Sequence, residues 1–360
     1  MHRLIAFLLA ALTWVAAQAQ APTLKTVPVA TGLDRPWALA FLPDGRMLVT
    51  EKPGQMRVIA ADGRVGPALG GLPPVDATGQ CGLLDVAVDP GFARNGLVYW
   101  TFAEPGDGGN STAVARGRLD GDRLLEVRTI FSQKPKVASR LHCGSRIVFG
   151  RDGTLWVGLG DRYSRKDDAQ NPANHIGKVV RIDRDGRAPA DNPKFAAAEV
   201  WSLGHRNIQG AAAHPATGVL WTVEHGPQGG DEVNAPRRGA NHGWPLVTRG
   251  RNYVTGTRIG EDGPKPGFEE PLKVWVPSIA PSGMAFLSSD RYPGWQGSLF
   301  VGALKAQLLV RLTLDGGKVV AEERLLQDLG ERIRDVRQGP DGWLYLVTDG
   351  RNGQVLRLER

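Results

Sequence analysis

Residues 141–161 read LHCGSRIVFGRDGTLWVGLGD, and the fold can be worked out from this stretch. It opens on a polar head, His142-Cys143-Gly144-Ser145-Arg146, whose groups can do chemistry. A short apolar run follows, Ile147-Val148-Phe149. Then come the turn Arg151-Asp152-Gly153 and a second apolar run, Leu155-Trp156-Val157. Asp-Gly between two β-prone runs signals a hairpin, because glycine accepts the positive φ that a tight turn demands. The stretch therefore reads as a hairpin with reactive residues at its entrance.

Five more copies of this layout follow from the same reading. Residues 37–41 lead through Pro43-Asp44-Gly45 into 47–49, and residues 83–88 through Asp89-Pro90-Gly91 into 97–99. Residues 206–210 lead through Pro215-Ala216-Thr217-Gly218 into 220–222. Residues 282–286 lead through a longer turn ending at Gly297 into 299–301, and 332–336 through Pro340-Asp341-Gly342 into 344–346. Leu48, Val98, Trp156, Trp221, Phe300 and Tyr345 fall in equivalent places. Their spacing of roughly 45 to 80 residues suits four short strands per unit with room for inserted loops. The expected fold is all-β, a six-bladed β-propeller; a two-sheet sandwich of unrelated hairpins requires no internal repeat. Equivalent positions in a propeller lie on a ring. Gln80, His142, Arg206, Arg332 and Arg334, each at or near the start of a copy, should therefore converge on one rim.

Composition agrees. The 360-residue chain has 47 Gly and 25 Pro, which means frequent turns. Residues 1–19 read as a secretory signal peptide: Arg3 is the charged start, 4–17 the apolar core and Ala17-Gln18-Ala19 the cleavage site. That run is too short to span a membrane comfortably, and no other apolar run approaches the roughly 18 residues a span needs. Residues 20–360 are then a single exported propeller domain, periplasmic or secreted. The net charge of +7 is scattered, apart from Arg237-Arg238, which argues against nucleic acid and for a locally basic pocket that takes an anionic small molecule. Two cysteines in an oxidising compartment suggest a disulfide. Cys81 follows Gln80 and Cys143 follows His142, so the bond would tie the entrance of the second copy to that of the third.

His142 is the best candidate base, since imidazole accepts a proton near neutrality without tuning. Asp161 can orient it, or can be a turn carboxylate. Residues 162–199 read as a polar insertion shaping a substrate mouth. Gln80 offers an amide, and Arg206 a fixed fork of donors for a carboxylate or a reducible carbonyl. Trp37 reads as a core aromatic. In Glu224-His225-Gly226-Pro227 and Gly230-Asp231-Glu232, turn carbonyls and carboxylates offer the oxygens that a hard ion such as Ca²⁺ prefers. Lys305 adds a single charge after the fifth inner run. Arg332 and Arg334 alternate, so they share one face of a strand; two cations unpaired in sequence suggest an acidic ligand.

Together these motifs resemble the soluble pyrroloquinoline-quinone-dependent sugar dehydrogenases, the glucose/sorbosone dehydrogenase family, and its aldose dehydrogenase branch in particular. The resemblance runs from Arg35-Pro36-Trp37 to the last copy. It is carried by Gly79-Gln80-Cys81-Gly82-Leu83-Leu84-Asp85, Leu141-His142 with Arg146, Gly160-Asp161, Gly204-His205-Arg206-Asn207, His225-Gly226-Pro227, Gly230-Asp231-Glu232, Pro277-Ser278-Ile279-Ala280-Pro281-Ser282, Leu304-Lys305 and Arg332-Ile333-Arg334-Asp335-Val336. It implies a quinone on the propeller axis and His142 as general base toward a sugar's anomeric hydroxyl. Arg206, with Asn207 beside it, would polarise the accepting carbonyl. Gln80, Lys305, Arg332 and Arg334 would hold the cofactor, Gly226 and Pro227 would offer carbonyls to a calcium ion, and Glu232 would ligate a second, structural calcium. An external electron acceptor is implied but not identified. His225 stands where some members carry Gln. Loops shorter than those of the dimeric glucose-specific enzymes point to a monomer, and Trp275 is a candidate to stack on the quinone.

Two other readings use the same architecture. A calcium-dependent lactonase would hold its metal mainly through carboxylates and would not need the arginine cluster. A non-catalytic exported binding propeller would leave His142 and Gly226-Pro227 without a role.

Overall fold

Each copy folds into a four-stranded antiparallel blade, and six blades close a ring. The computed structural model describes residues 24–360, so the expected signal peptide lies outside them. Leu48, Val98, Trp156, Trp221, Phe300 and Tyr345 are each the second residue of the second strand of their blade. The inner strands are Pro36–Phe41, Leu83–Val88, Gly144–Phe149, Ile208–Ala213, Pro281–Phe286 and Ile333–Gln338, for blades 1 to 6.

Two features depart from the sequence reading. The lead-in to the first copy is itself a strand, Lys25–Leu33. It pairs antiparallel with Gly353–Glu359 as the outer strand of blade 6, so both ends of the chain share one blade. The polar insertion 162–199 also contains structure: a 3₁₀ turn, Lys166–Gln170, and the third strand of blade 3, Val179–Ile182.

The core lies between blades. Among the described residues, each of six apolar clusters joins one pair of neighbouring blades. Burying one such leucine contributes about 1.5–3 kcal/mol. Hydroxyls also bridge adjacent blades. Thr50 Oγ1 donates to the Leu84 carbonyl at 2.5 Å, Thr101 Oγ1 to Ser145 at 2.8 Å and Ser282 Oγ to Ile333 at 2.6 Å. Such bonds are worth about 1 kcal/mol each.

On the axis sits a closed set of charges. Buried Arg146 reaches Asp335 Oδ1 at 2.8 Å and Asp85 Oδ1 at 3.3 Å. Arg337 reaches Asp85 at 2.6 Å and Asp335 at 2.8 Å. Two acids balance two bases, and Asp85 and Asp335 also accept the backbone N–H of Ile147 and Leu39 from neighbouring blades. This cluster forms a floor across the channel. One cavity, of about 510 Å³, lies at the end where the inner strands finish, lined by Phe41, Phe149, Phe286 and Arg337. The reactive residues lie at the other end.

In all six blades the pairing of inner and second strand shifts register near the start of the inner strand. A bulge leaves residues out of the ladder and re-aims their side chains, and bulges gather next to functional sites. Six bulges on one rim turn six strand entrances toward the axis.

Candidate functional site

The rim gathers most of the residues expected there. A cavity of about 520 Å³ is lined by Gln80, Asn207, Arg332 and Arg334, with Arg35, Trp37, Lys52, Gln209 and Asp349. It shares His225 and Ala280 with a neighbouring cavity of about 650 Å³, lined by Gly226, Pro227, Tyr253 and Lys305. These volumes fall within the roughly 300–1,000 Å³ of small-molecule sites.

His142 does not itself line either cavity; it lies buried just before the inner strand of blade 3, next to the cavity-lining Cys143 and Gly144, with φ of 50°. A non-glycine residue in the left-handed region is strained, and such strain persists where surrounding contacts over-determine the backbone. Here the His142 N–H donates to Gln80 Oε1 at 2.9 Å, and Gly144 N to Asn207 Oδ1 at 3.2 Å. Gly144 has φ of 62°, and a Cβ there would lie 2.5 Å from the Leu159 carbonyl carbon, so only glycine fits. The disulfide Cys81–Cys143 is formed, with Cα atoms 5.7 Å apart, and it ties the peptides that carry Gln80 and His142. Arg162 is buried against both sulfurs, and burial lowers its pKa to about 10.

Asp161 orients the imidazole: His142 Nδ1 lies 2.6 Å from Asp161 Oδ1. The same oxygen accepts Tyr163 N–H at 2.8 Å, and Oδ2 accepts Trp244 Nε1–H at 2.8 Å. Burial lowers the His142 pKa by more than the Asp161 hydrogen bond raises it, and Arg206 and Arg162 lower it further. For Asp161 burial acts upward, but the His142 hydrogen bond and charge, Arg206 and the Tyr163 N–H together hold it below the usual carboxylate range. The pair is a neutral imidazole on a carboxylate. An acceptor-only carboxylate fixes the proton on Nδ1 and leaves Nε2 with a free lone pair.

Arg206 is nearly buried and reaches into the turn expected to bind calcium. Its Nη1 donates to the carbonyls of His225 at 2.9 Å and Gly226 at 2.7 Å, while its Nε is buried without a partner. Asp231, read from the sequence as a carboxylate offered to a hard ion, instead braces that turn. It accepts Gly226 N–H at 2.9 Å on one oxygen, and Ser278 Oγ–H, Ile279 N–H and Ala280 N–H on the other. His225 Nε2 lies 2.7 Å from the Pro281 carbonyl, and burial pushes its pKa down to about 3. Glu232 stands apart from the cavity, beside Glu224 in the strand pairing, and together they line a water-sized void with His242. Burial first, and then the charge of Glu224, push the Glu232 carboxyl upward. Two carboxyls so placed call for a proton or a cation between them.

Two expectations change. Arg332 and Arg334 are not unpaired: both donate to Asp349 Oδ2 at 2.9 Å, and Arg334 also donates to Gln209 Oε1 at 3.1 Å. Trp275 does not reach the cavity; it is buried between blades 4 and 5 and donates to Glu322 at 3.0 Å. Trp37 is a core aromatic as read, buried between blades 1 and 2, and in addition it lines the cavity and lies under the guanidinium groups of Arg146 and Arg334, at 4.2 and 5.8 Å.

Lys52 was missed, and so was Asp349. Lys52 has no ion-pair partner among the described residues, and burial followed by the nearby Arg35 and Arg334 lowers its pKa. The repeat carried the signal. Four residues beyond the six equivalent positions stand Lys52, Phe102, Gly160, His225, Leu304 and Asp349, and one further on stand Asp161, Gly226 and Lys305.

The model of the family described as Glucose / Sorbosone dehydrogenase matches residues 33–357. The chain belongs to this family. Among its relatives is the aldose sugar dehydrogenase YliI of Escherichia coli K12, 44% identical over 99% of this chain and 99% of that one. The crystal structure of the soluble aldose sugar dehydrogenase of Escherichia coli in its apo-form superposes with a TM-score of 0.90, at 43% identity over 94% of this chain and 99% of the other. A PQQ-bound aldose sugar dehydrogenase from Streptomyces coelicolor superposes with a TM-score of 0.79, at 31% identity over 94% and 98% of the two chains. Membership of a sugar-dehydrogenase family makes an oxidoreductase of this propeller. Among the described residues no helix is long and apolar enough to cross a membrane.

Proposed function

We propose that this protein oxidises the anomeric hydroxyl of aldose sugars to the lactone, with pyrroloquinoline quinone bound in the rim cavity and Ca²⁺ at the Gly226-Pro227 turn. The observation that carries the reading is the His142–Asp161 pair at 2.6 Å, whose histidine directly precedes Cys143 in the wall of a cavity whose cations outnumber its acids. The fit to an anionic quinone rests on this chain's own groups. Lys52, Arg332 and Arg334 face a single Asp349, and the buried Nε atoms of Arg206 and Arg334 lack partners. Lys305, in the adjoining cavity, adds a further cation. A cofactor with several carboxylates suits that surplus. For the metal, Gly226 and Pro227 would offer backbone carbonyls, one of which Arg206 already holds, and Glu232 beside Glu224 would favour a second cation.

The quinone supplies the two-electron oxidant that no side chain provides. His142 Nε2 takes the proton of the anomeric hydroxyl while Asp161 keeps Nδ1–H in place. The hydride leaves the same carbon, so the sugar becomes a lactone. Arg206 and the free amide of Asn207 donate where negative charge develops, and Gln80 anchors the His142 peptide while its own amide N–H groups remain free for the cofactor. The enzyme would work as an exported monomer and pass electrons to an external acceptor.

The test is dye reduction by the purified apo-protein with an aldose, with and without added pyrroloquinoline quinone and Ca²⁺, and again after chelation. Activity that needs both additions is the expected result. No oxidation of any aldose by folded protein overturns the reading, and hydrolysis of a lactone by that same protein would install a lactonase in its place.

A further inference from the structure

Trp244 is a large aromatic side chain, 7% exposed, that belongs to none of the apolar clusters between blades among the described residues. Apolar packing between blades therefore does not account for it. Its backbone is clamped from two sides: its N–H donates to the Gly204 carbonyl at 3.0 Å, and its carbonyl accepts Gln170 Nε2–H at 2.7 Å. Its indole Nε1–H donates to Asp161 Oδ2 at 2.8 Å, while Asp161 Oδ1 holds His142 at 2.6 Å. The face of the same ring lies 5.3 Å from the guanidinium carbon of Arg206. One rigid side chain thus touches the partner of the base and the residue expected to polarise the electron-accepting carbonyl.

We propose that Trp244 is a positioning residue that sets the basicity and aim of His142 through Asp161 and fixes Arg206 by cation–π contact. The role in turnover rests on the reading of His142 as the general base; the physical linkage does not. An indole donor draws charge from the far oxygen of Asp161, so the near oxygen stabilises an imidazolium less well. The base stays neutral and ready to accept. The charged and titratable groups around His142 are Asp161, Arg206, Arg162 and His225, with the Tyr163 ring edge-on at 5.2 Å. Of these, Trp244 contacts Asp161 and Arg206. A cation over an indole face is attracted to the ring, and this favours one orientation of the fork.

The decisive experiment is an NMR titration of His142 in the apo-protein, wild type against Trp244→Phe, with His175 and His214 as internal references. Phenylalanine keeps a ring under Arg206 and removes only the donor. The His142 midpoint should rise by roughly half a pH unit or more while the references stay in place. An unmoved His142 midpoint in the folded variant overturns the proposal. A second measurement needs no variant: in wild type the Trp244 indole N–H resonance should follow the His142 titration with the same midpoint, and an indole resonance indifferent to it also overturns the proposal. In the quinone-loaded enzyme the acid limb of kcat/KM should shift with the NMR midpoint while KM for the sugar stays near its original value. A raised midpoint in a protein that oxidises no sugar leaves the positioning role standing and removes only the functional reading.

Discussion

The floor of the channel and its rim are built from the same residue types, and they are opposites. On the floor, Asp85, Arg146, Asp335 and Arg337 meet in equal numbers, and Arg146 also donates to the carbonyls of Gln209 and Arg334. On the rim, Lys52, Arg332 and Arg334 confront Asp349 alone, and guanidinium atoms of Arg206 and Arg334 are buried with nothing to bond. Buried charge that exists to hold a fold is balanced, because an unpaired buried ion costs several kcal/mol. Charge left over in a cavity points to something that arrives from outside.

The comparison predicts where each kind of damage will be felt. Arg146→Ala leaves two buried carboxylates with one partner, and stability should fall by about 3–5 kcal/mol in denaturant unfolding. A mild loss would mean that the floor does not act as a unit. His142→Ala should leave folding and cofactor affinity in place and cut kcat roughly a hundredfold or more in dye reduction. Near-wild-type turnover would remove His142 from the chemistry. Arg332→Ala with Arg334→Ala should weaken quinone affinity roughly tenfold to a hundredfold in fluorescence titration, with a smaller loss for Lys52→Ala, and cost less stability than Arg146→Ala, because only Asp349, at a cavity that water enters, loses its partners. A large drop in melting temperature would instead put these arginines with the floor.

The pH dependence is the smallest expected effect. Burial lowers the His142 pKa below its usual 6.5, so the acid limb of kcat/KM should lie below pH 6.5. The same shift links to stability. The unfolded chain binds the proton more readily, so this contribution is present above pH 6.5 and is lost as pH falls through the folded-state value. An acid limb above pH 6.5 would assign it to another group.

Much of the site was legible because the repeat fixes register. Once six hairpins align, His142, Arg206 and Arg332 must share a rim, and Cys81 and Cys143 must come near each other. The same register pointed to Lys52 and Asp349, which were missed because one is an ordinary strand-end lysine and the other an ordinary turn aspartate until placed on the ring. Trp275 was misjudged and Trp37 undervalued for a related reason: an aromatic in a β-sequence gives no hint of which side of its blade it faces.

The sequence alone determined the period, the turns and the order of the blades, because hydrophobic alternation and Asp-Gly turns are local properties of the chain. It also determined the chemistry available at each strand entrance. Only the tertiary structure decided which charges cancel. Arg146 and Arg334 read alike as arginines in inner strands, yet one is neutralised by Asp85 and Asp335 from two other blades, while the other shares Asp349 and faces a cavity. Pairing across a ring depends on distances between residues remote in sequence, and closing the ring is what sets them. The strand Lys25–Leu33 that completes blade 6 is part of that same closure.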